Sequence, residues 1–230
     1  MDSEQRGSER RKLVAFTLPM AVFLALLGLA SALRKPEAGF WLASPEYWIY
    51  PAQTLLCGGL VAWFWRDYEF HSPHKVWFAL GIGLAVFGIW IAPQQFFGFA
   101  PRMTGFDPEV FDRDTAVYWI TIIFRFLRLV VVVPLVEEIF WRGFLLRYLI
   151  EERFTALAIG SFSWLSFTVV TLCFGLAHTW ADWIAAVICG AVYNLVAYRT
   201  RSLVSCVIAH GVTNSLLGLW VMQTRQWGFW

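Results

Sequence analysis

Charge is what this chain has least of. Only 15% of its 230 residues are Asp, Glu, Lys or Arg, against about 25% in an ordinary soluble domain. So little charge argues against a water-exposed globule. Cysteine is also sparse: Cys57, Cys173, Cys189 and Cys206 each sit in an apolar stretch and form no CxxC pair. A ribbon-type zinc site or a thioredoxin-like redox pair is therefore not expected, and the four read as buried thiols. There is no HExxH helix of the zincin type. No basic block is interleaved with exposed aromatics, so nucleic acid is not an expected partner. Internal repeats and low-complexity tracts are lacking too, which excludes a solenoid. A net charge of +2 selects no partner.

Apolar residues make up 59% of the chain, and the 14 tryptophans suit helix ends at the headgroup level. Apolar segments fall near 13–33, 47–65, 76–92, 116–133, 135–150, 155–178, 182–198 and 203–222. Backbone groups in lipid must be satisfied within a segment, so these runs are expected to be helices. The fold class is all-α: a polytopic integral membrane bundle of about eight spans, with seven as the alternative. Membrane lipids are then partners by necessity. The expected organisation is a cytoplasmic tail (1–12), N-terminal helices and a polar loop (13–115), a helical core (116–222) and a C-terminal tail (223–230). Ala30-Ser31-Ala32 resembles a signal-peptide cleavage site. The run from Leu13 to Leu33 is nevertheless long enough to span, so a retained first helix is expected.

The segment 135–150 decides the span count. Pro134 stands just before it, and proline suits a first helical turn, so a new helix is expected to start there. If this segment does not cross, there are seven spans, and Lys and Arg alternate well between the two sides. If it crosses, there are eight.

Ionisable residues inside a membrane bundle are functional candidates. Glu137 and Glu138 follow an apolar run, and Arg142 comes four residues after Glu138, so those two can pair on one helix face. His178 ends the run that contains Phe174. His210 and Asn214 share a face in the middle of LVSCVIAHGVTNSLLGLW. Arg125 and Arg128 lie about a turn apart and are expected to pair with acids such as Glu138 or to snorkel to headgroups. If 135–152 and 155–178 form a hairpin, Glu137 lies about 24 Å and His178 about 37 Å above its turn, with His210 about 14 Å above the turn near Arg201. A carboxylate, two imidazoles and an amide at these depths can activate water and hold an oxyanion. The donors Glu137, His178 and His210 also approach a zinc ligand set.

These motifs, EExxxR over Glu137–Arg142, FxxxH over Phe174–His178 and HxxxN over His210–Asn214, resemble those of the CAAX-protease and bacteriocin-processing family of intramembrane proteases. The resemblance covers roughly 130–220. The lead-in from Phe111 to Arg128 also resembles the bacterial exosortase-associated subgroup. The family implies an intramembrane endopeptidase that hydrolyses a peptide bond near the C-terminus of a membrane-associated protein or peptide. It implies Glu137 as general base with His178 assisting, and His210 and Asn214 as oxyanion donors. Glu138 and Arg142 would hold the site together, or Arg142 would meet the substrate's C-terminus. The family is compatible with a zinc mechanism and with a metal-free one. A bacterial inner membrane is the expected location. Bacteria generally lack prenylated CAAX proteins, so there the family name would describe a fold rather than a substrate. The alternative function is a non-catalytic immunity or scaffold protein that retains the fold. Transport is disfavoured because no paired broken helices recur in two halves.

Overall fold

The computed structural model describes residues 3–230, and among them helices are the only regular elements. Met1 and Asp2 of the expected tail lie outside the described residues. The main helices are α1 (Ser3–Leu33), α2 (Glu46–Trp63), α3 (Val76–Phe96), α4 (Ala116–Tyr148), α5 (Trp164–Leu176), α6 (Trp183–Thr200) and α7 (Leu203–Thr224). Five of them, α1, α3, α4, α6 and α7, are long and apolar enough to cross a membrane. The bundle is thus the polytopic membrane fold that the composition implies.

Local chemistry sets several helix starts. The side chains of Thr115, Ser163 and Ser202 accept hydrogen bonds from the backbone N–H three residues on, at Tyr118, Ser166 and Ser205. Such caps satisfy one of the free N–H groups of a first turn.

Two expectations need correction. The segments 116–133 and 135–150 are one helix, α4, with π-helical stretches at Leu127–Val132 and Ile139–Leu145. Pro134 does not start a new helix, because the π stretch before it absorbs the register change that proline imposes. The eight apolar segments therefore become seven helices. The segment 155–178 is helical only from Trp164. Residues 155–163 form a connection in which Gly160 has φ +75°, and a Cβ there would lie 2.2 Å from the Ala197 carbonyl oxygen. This close approach requires glycine.

Consecutive helices alternate in direction, which gathers the loops at two ends. At the N-terminal end Arg11 pairs with Asp67 at 2.9 Å and Arg147 with Glu69 at 2.8 Å. The Ser205 hydroxyl donates to the His74 carbonyl at 2.8 Å, and the rings of Phe16 and Phe154 meet edge to face at 5.2 Å. At the other end Arg34 pairs with Glu46 at 2.9 Å, and Arg102 pairs with Asp182. There the Tyr47 hydroxyl donates to the Asp107 carbonyl at 2.6 Å, and the backbone N–H of Gly228 donates to the Arg102 carbonyl at 2.9 Å. Helix α7 lies centrally, against α3, α4 and α6.

Candidate active site

The site begins with the break in α4. Pro134 has no N–H, and in the π register before it, where the Val133 N–H bonds to the Arg128 carbonyl, the carbonyl this leaves without a helical partner is that of Leu129. Helix α7 docks there: a Cβ on Gly211 would sit 3.1 Å from the Val130 oxygen. Beside it, the Asn214 amide Nδ2 donates to the Leu129 carbonyl at 2.8 Å. One glycine and one asparagine of α7 thus fit the irregular backbone of α4, just upstream of Glu137 and Glu138.

Glu138 is fully buried, and its Oε1 accepts from Arg142 Nη1 at 3.0 Å and from His210 Nδ1 at 2.9 Å. Arg142, also fully buried, donates from Nε to Asn194 Oδ1 and from Nη2 to the Gly190 carbonyl, both at 3.1 Å. Asn194 in turn donates to the Thr171 hydroxyl at 3.2 Å. The guanidinium lies 4.9 Å from the Phe174 ring centre and 5.4 Å from that of Tyr193. A buried ion pair is tolerable only when its remaining donors are also satisfied. Arg142 meets that condition on three nitrogens, drawing partners from α4 and α6. Three of its five N–H donors are thus committed and the side chain is fully buried, which favours the structural role of the two expected for it.

The imidazole of His210 stacks on Tyr193 at 5.0 Å. The Tyr193 hydroxyl donates to Thr213 at 2.7 Å, and the Thr213 hydroxyl donates to the Gly83 carbonyl of α3 at 2.9 Å. With a carboxylate facing Nδ1, that nitrogen carries a hydrogen, and Nε2 is the free end of the ring. His178 follows the same logic. Its Nδ1 lies 2.7 Å from the Phe174 carbonyl, which can only accept, so Nε2 is again free. The His178 ring is half-buried between Phe174, at 4.8 Å, and Trp90, at 5.6 Å. Both imidazoles therefore flank the ring of Phe174, which is 6.4 Å from His210.

Glu137 is 9% exposed, and its Oε2 is buried without a hydrogen-bond partner. Direct bonds join Glu138, Arg142 and His210, and Phe174 links His178 to them. Asn214 stands one turn beyond His210, with one amide hydrogen committed to Leu129. The later start of α5 brings the depths closer than the hairpin estimate. His178 is now about 21 Å above the start of its helix, and Glu137 about 16 Å from the end of α4. Among the described residues no three His, Cys, Asp or Glu side chains are grouped to hold a metal ion. Glu137, His178 and His210 thus do not form the three-ligand set that zinc would need.

Arg125 and Arg128 do not behave as expected. Glu138 is taken by Arg142, and both arginines are buried, at 3% and 6% exposure, rather than reaching headgroups. Asn194, Tyr193, Thr171 and Thr213 are not among the residues that the sequence motifs single out. Asn194 carried a usable signal, an amide inside the apolar run CGAVYNLVAY.

Residues 119–216 match the family model described as Type II CAAX prenyl endopeptidase Rce1-like. This stretch contains Glu137, Glu138, Arg142, His178, His210 and Asn214. Over this segment the chain is similar to the family that the motifs resemble, which is a family of proteases. The match does not extend to the exosortase-associated subgroup. No curated protein and no solved structure matches the chain.

Proposed function

We propose that this Rce1-like core is an intramembrane endopeptidase that cleaves a membrane-associated protein or peptide near its C-terminus. The observation that carries this reading is the Glu138–Arg142–His210 constellation. It fixes one imidazole with Nε2 free, beside a second acid, Glu137, that has an oxygen without a partner.

The chemistry follows from those free atoms. Glu137 takes a proton from water as the water oxygen attacks the scissile carbonyl carbon. Nε2 of His178 orients that water. The carbonyl oxygen becomes an oxyanion. For His210 to donate to it from Nε2 while Nδ1–H stays on Glu138, the ring must be doubly protonated. Glu138 is then its counter-ion, and Arg142 pairs with the same carboxylate oxygen. The second amide hydrogen of Asn214 is a further donor. Collapse of the intermediate breaks the C–N bond, and the proton held by Glu137 passes to the leaving amine. A positioned base contributes about 10²–10⁴-fold, and an oxyanion donor about 10²–10³-fold.

By the positive-inside rule, the end bearing Arg66, Lys75, Arg147, Arg153, Arg199 and Arg201 would face the cytoplasm. An inner-membrane location in a bacterium accords with this reading.

The test is cleavage of a quenched peptide library by purified protein, beside Glu137→Gln, His178→Ala and His210→Ala, with zinc content measured in parallel. Loss of cleavage in all three variants, with folding retained, is expected. Activity near that of the wild type in any of them would sink the assignment. About one zinc per chain, lost with the histidines, would replace the metal-free route. A chain that cleaves nothing, while its variants still bind or protect, would be the scaffold or immunity protein.

A further inference from the structure

Two further charges on α4 lie outside the Glu138–Arg142–His210 constellation, although Arg128 is close enough to Glu137 for their charges to interact. Arg125 and Arg128 lie about one turn apart, and both are buried. The Nε of Arg128 donates to Gln53 Oε1 at 2.6 Å, and Gln53 is itself held by the Phe23 carbonyl at 2.7 Å. The Nε and Nη1 of Arg125 are buried with no acceptor in reach. Neither arginine forms an ion pair among the described residues. Their surroundings are aromatic. Tyr50 lies 5.1 Å from the Arg125 guanidinium and 4.2 Å from that of Arg128. Phe106 at 4.9 Å and Trp230 at 5.7 Å cover Arg125, and Phe23 at 5.1 Å lies against Arg128.

Aromatic faces attract a guanidinium but offer no acceptor in line with its N–H groups. Two like charges in an apolar interior also repel, and buried charges are ordinarily paired. The group that complements an arginine fork best is a planar anion with two oxygens. We propose that Arg125 and Arg128 form the binding site for the C-terminal carboxylate of the peptide substrate. This rests on the endopeptidase reading and deepens it. A lipid phosphate offers similar chemistry, but both arginines lie inside the bundle, and Phe106 and Trp230 cover Arg125. The pair also shares a helix with Glu137, nine residues from Arg128. That separation is at most about 13 Å along the axis, since the π turn between them is more compact than α-helix, the reach of up to about four residues of extended peptide. A peptide lying along α4 with its carboxylate on the arginines would present a bond a few residues from its end to Glu137. Entry requires Phe106 and Trp230 to swing off Arg125.

The experiment uses one fluorescein-labelled apolar peptide, Leu-Phe-Ala-Val-Leu, as free acid and as C-terminal amide. Its binding is measured by anisotropy in phosphatidylcholine nanodiscs, for wild type, Arg125→Gln, Arg128→Gln and the two Lys variants. Wild type is expected to prefer the acid by about 10- to 100-fold. Each Gln variant should close that gap while leaving amide binding unchanged, and the Lys variants should restore part of it. Thermal melts confirm folding, and the Lys variants carry the comparison if a Gln variant does not fold. Equal binding of acid and amide by wild type overturns the proposal, as does a gap that survives both Gln changes. A melting temperature that rises with phosphatidylglycerol only when the arginines are present, with no acid–amide gap, would assign the site to lipid phosphate and also overturn it. Cleavage of both forms is followed in the same samples. Equal cleavage with no binding gap keeps the peptidase and removes the carboxylate site. A binding gap with no cleavage keeps the carboxylate site and removes the peptidase.

Discussion

Glu138→Gln isolates the electrostatic core of the site with almost no change in shape. In the native protein the Glu138 carboxylate is the charge partner that Arg142 touches, at 3.0 Å, and both side chains are fully buried. Glutamine can still accept a hydrogen bond, but it leaves the guanidinium as an uncompensated cation in an apolar bundle. Removing one partner of a buried pair costs about 3–5 kcal/mol. The bonds from Arg142 to Asn194 and to the Gly190 carbonyl survive, so the lower half of that range, about 3–4 kcal/mol, is expected. At about 2–4 °C per kcal/mol for a chain of this size, the melting temperature should fall by about 6–16 °C. Thermal unfolding in nanodiscs reads this directly. The double variant Glu138→Gln/Arg142→Met removes both charges and should recover at least half of the loss, since contacting groups couple by about 0.5–3 kcal/mol. It should not recover peptidase activity, because His210 has lost the carboxylate that serves as its counter-ion. A fall of less than about 1 kcal/mol in the single variant, the range of an exposed pair, would refute the argument that Arg142 depends on Glu138.

Three further outcomes follow from the same contacts. Asn194→Leu removes the acceptor for Arg142 Nε and the donor to Thr171; a loss of about 2–3 kcal/mol is expected in chemical unfolding, because a hydrogen bond to a charged group is forfeited in a buried place. Tyr193→Phe keeps the ring under His210 but drops the bond to Thr213; stability should fall by about 1 kcal/mol with peptidase activity within about tenfold of wild type, whereas Tyr193→Leu, which removes the stacking face, should cost more activity. Gly83→Ala would place a Cβ 2.6 Å from the Ala209 carbonyl oxygen and 2.8 Å from the Val212 Cβ; α3 and α7 must then separate, and about 1–3 kcal/mol of overpacking cost should appear as a lower melting temperature.

The legible parts of this chain were those whose signal is local. Apolar runs announced helices, because lipid leaves the backbone no other solution, and the four-residue spacing of Glu138 and Arg142 announced their pairing. The 3.0 Å bond between them is what that spacing predicts. What failed was local reasoning applied to a non-local balance. Pro134 reads as a start signal, yet the helix continues through it, because α7 brings Gly211 against this backbone and Asn214 to the carbonyl that the break exposes. Nothing near position 134 in the sequence says so. The short start of α5 is of the same kind: residues 155–163 are apolar enough for a helix, but Gly160 is pressed against the Ala197 carbonyl and forms a turn instead. Tyr193 and Asn194 are neighbours in an apolar run and Thr213 lies between His210 and Asn214; the importance of each rests on a partner on another helix, which no local pattern shows.

The π stretches of α4 explain how one helix carries two chemistries. A π turn inserts about one extra residue, so everything beyond it rotates by about 100° relative to an unbroken helix. Upstream of the first stretch Arg125 faces the aromatic cluster of Tyr50, Phe106 and Trp230, and Arg128, within the stretch, faces Tyr50 and Phe23. Downstream, Glu138 faces α7 and Arg142 faces α6. In a regular helix the positions of Arg128 and Glu138 would be fixed by their ten-residue spacing alone. The inserted turn frees that relation, allowing the acid to meet His210 while the arginines remain under a different wall of the bundle. The cost is unpaired backbone, and Asn214 meets part of it at Leu129. Asn214 therefore has a structural duty whether or not it also meets an oxyanion. Its removal should lower stability as well as rate, whereas removal of Glu137, which has no such bond, should lower rate alone.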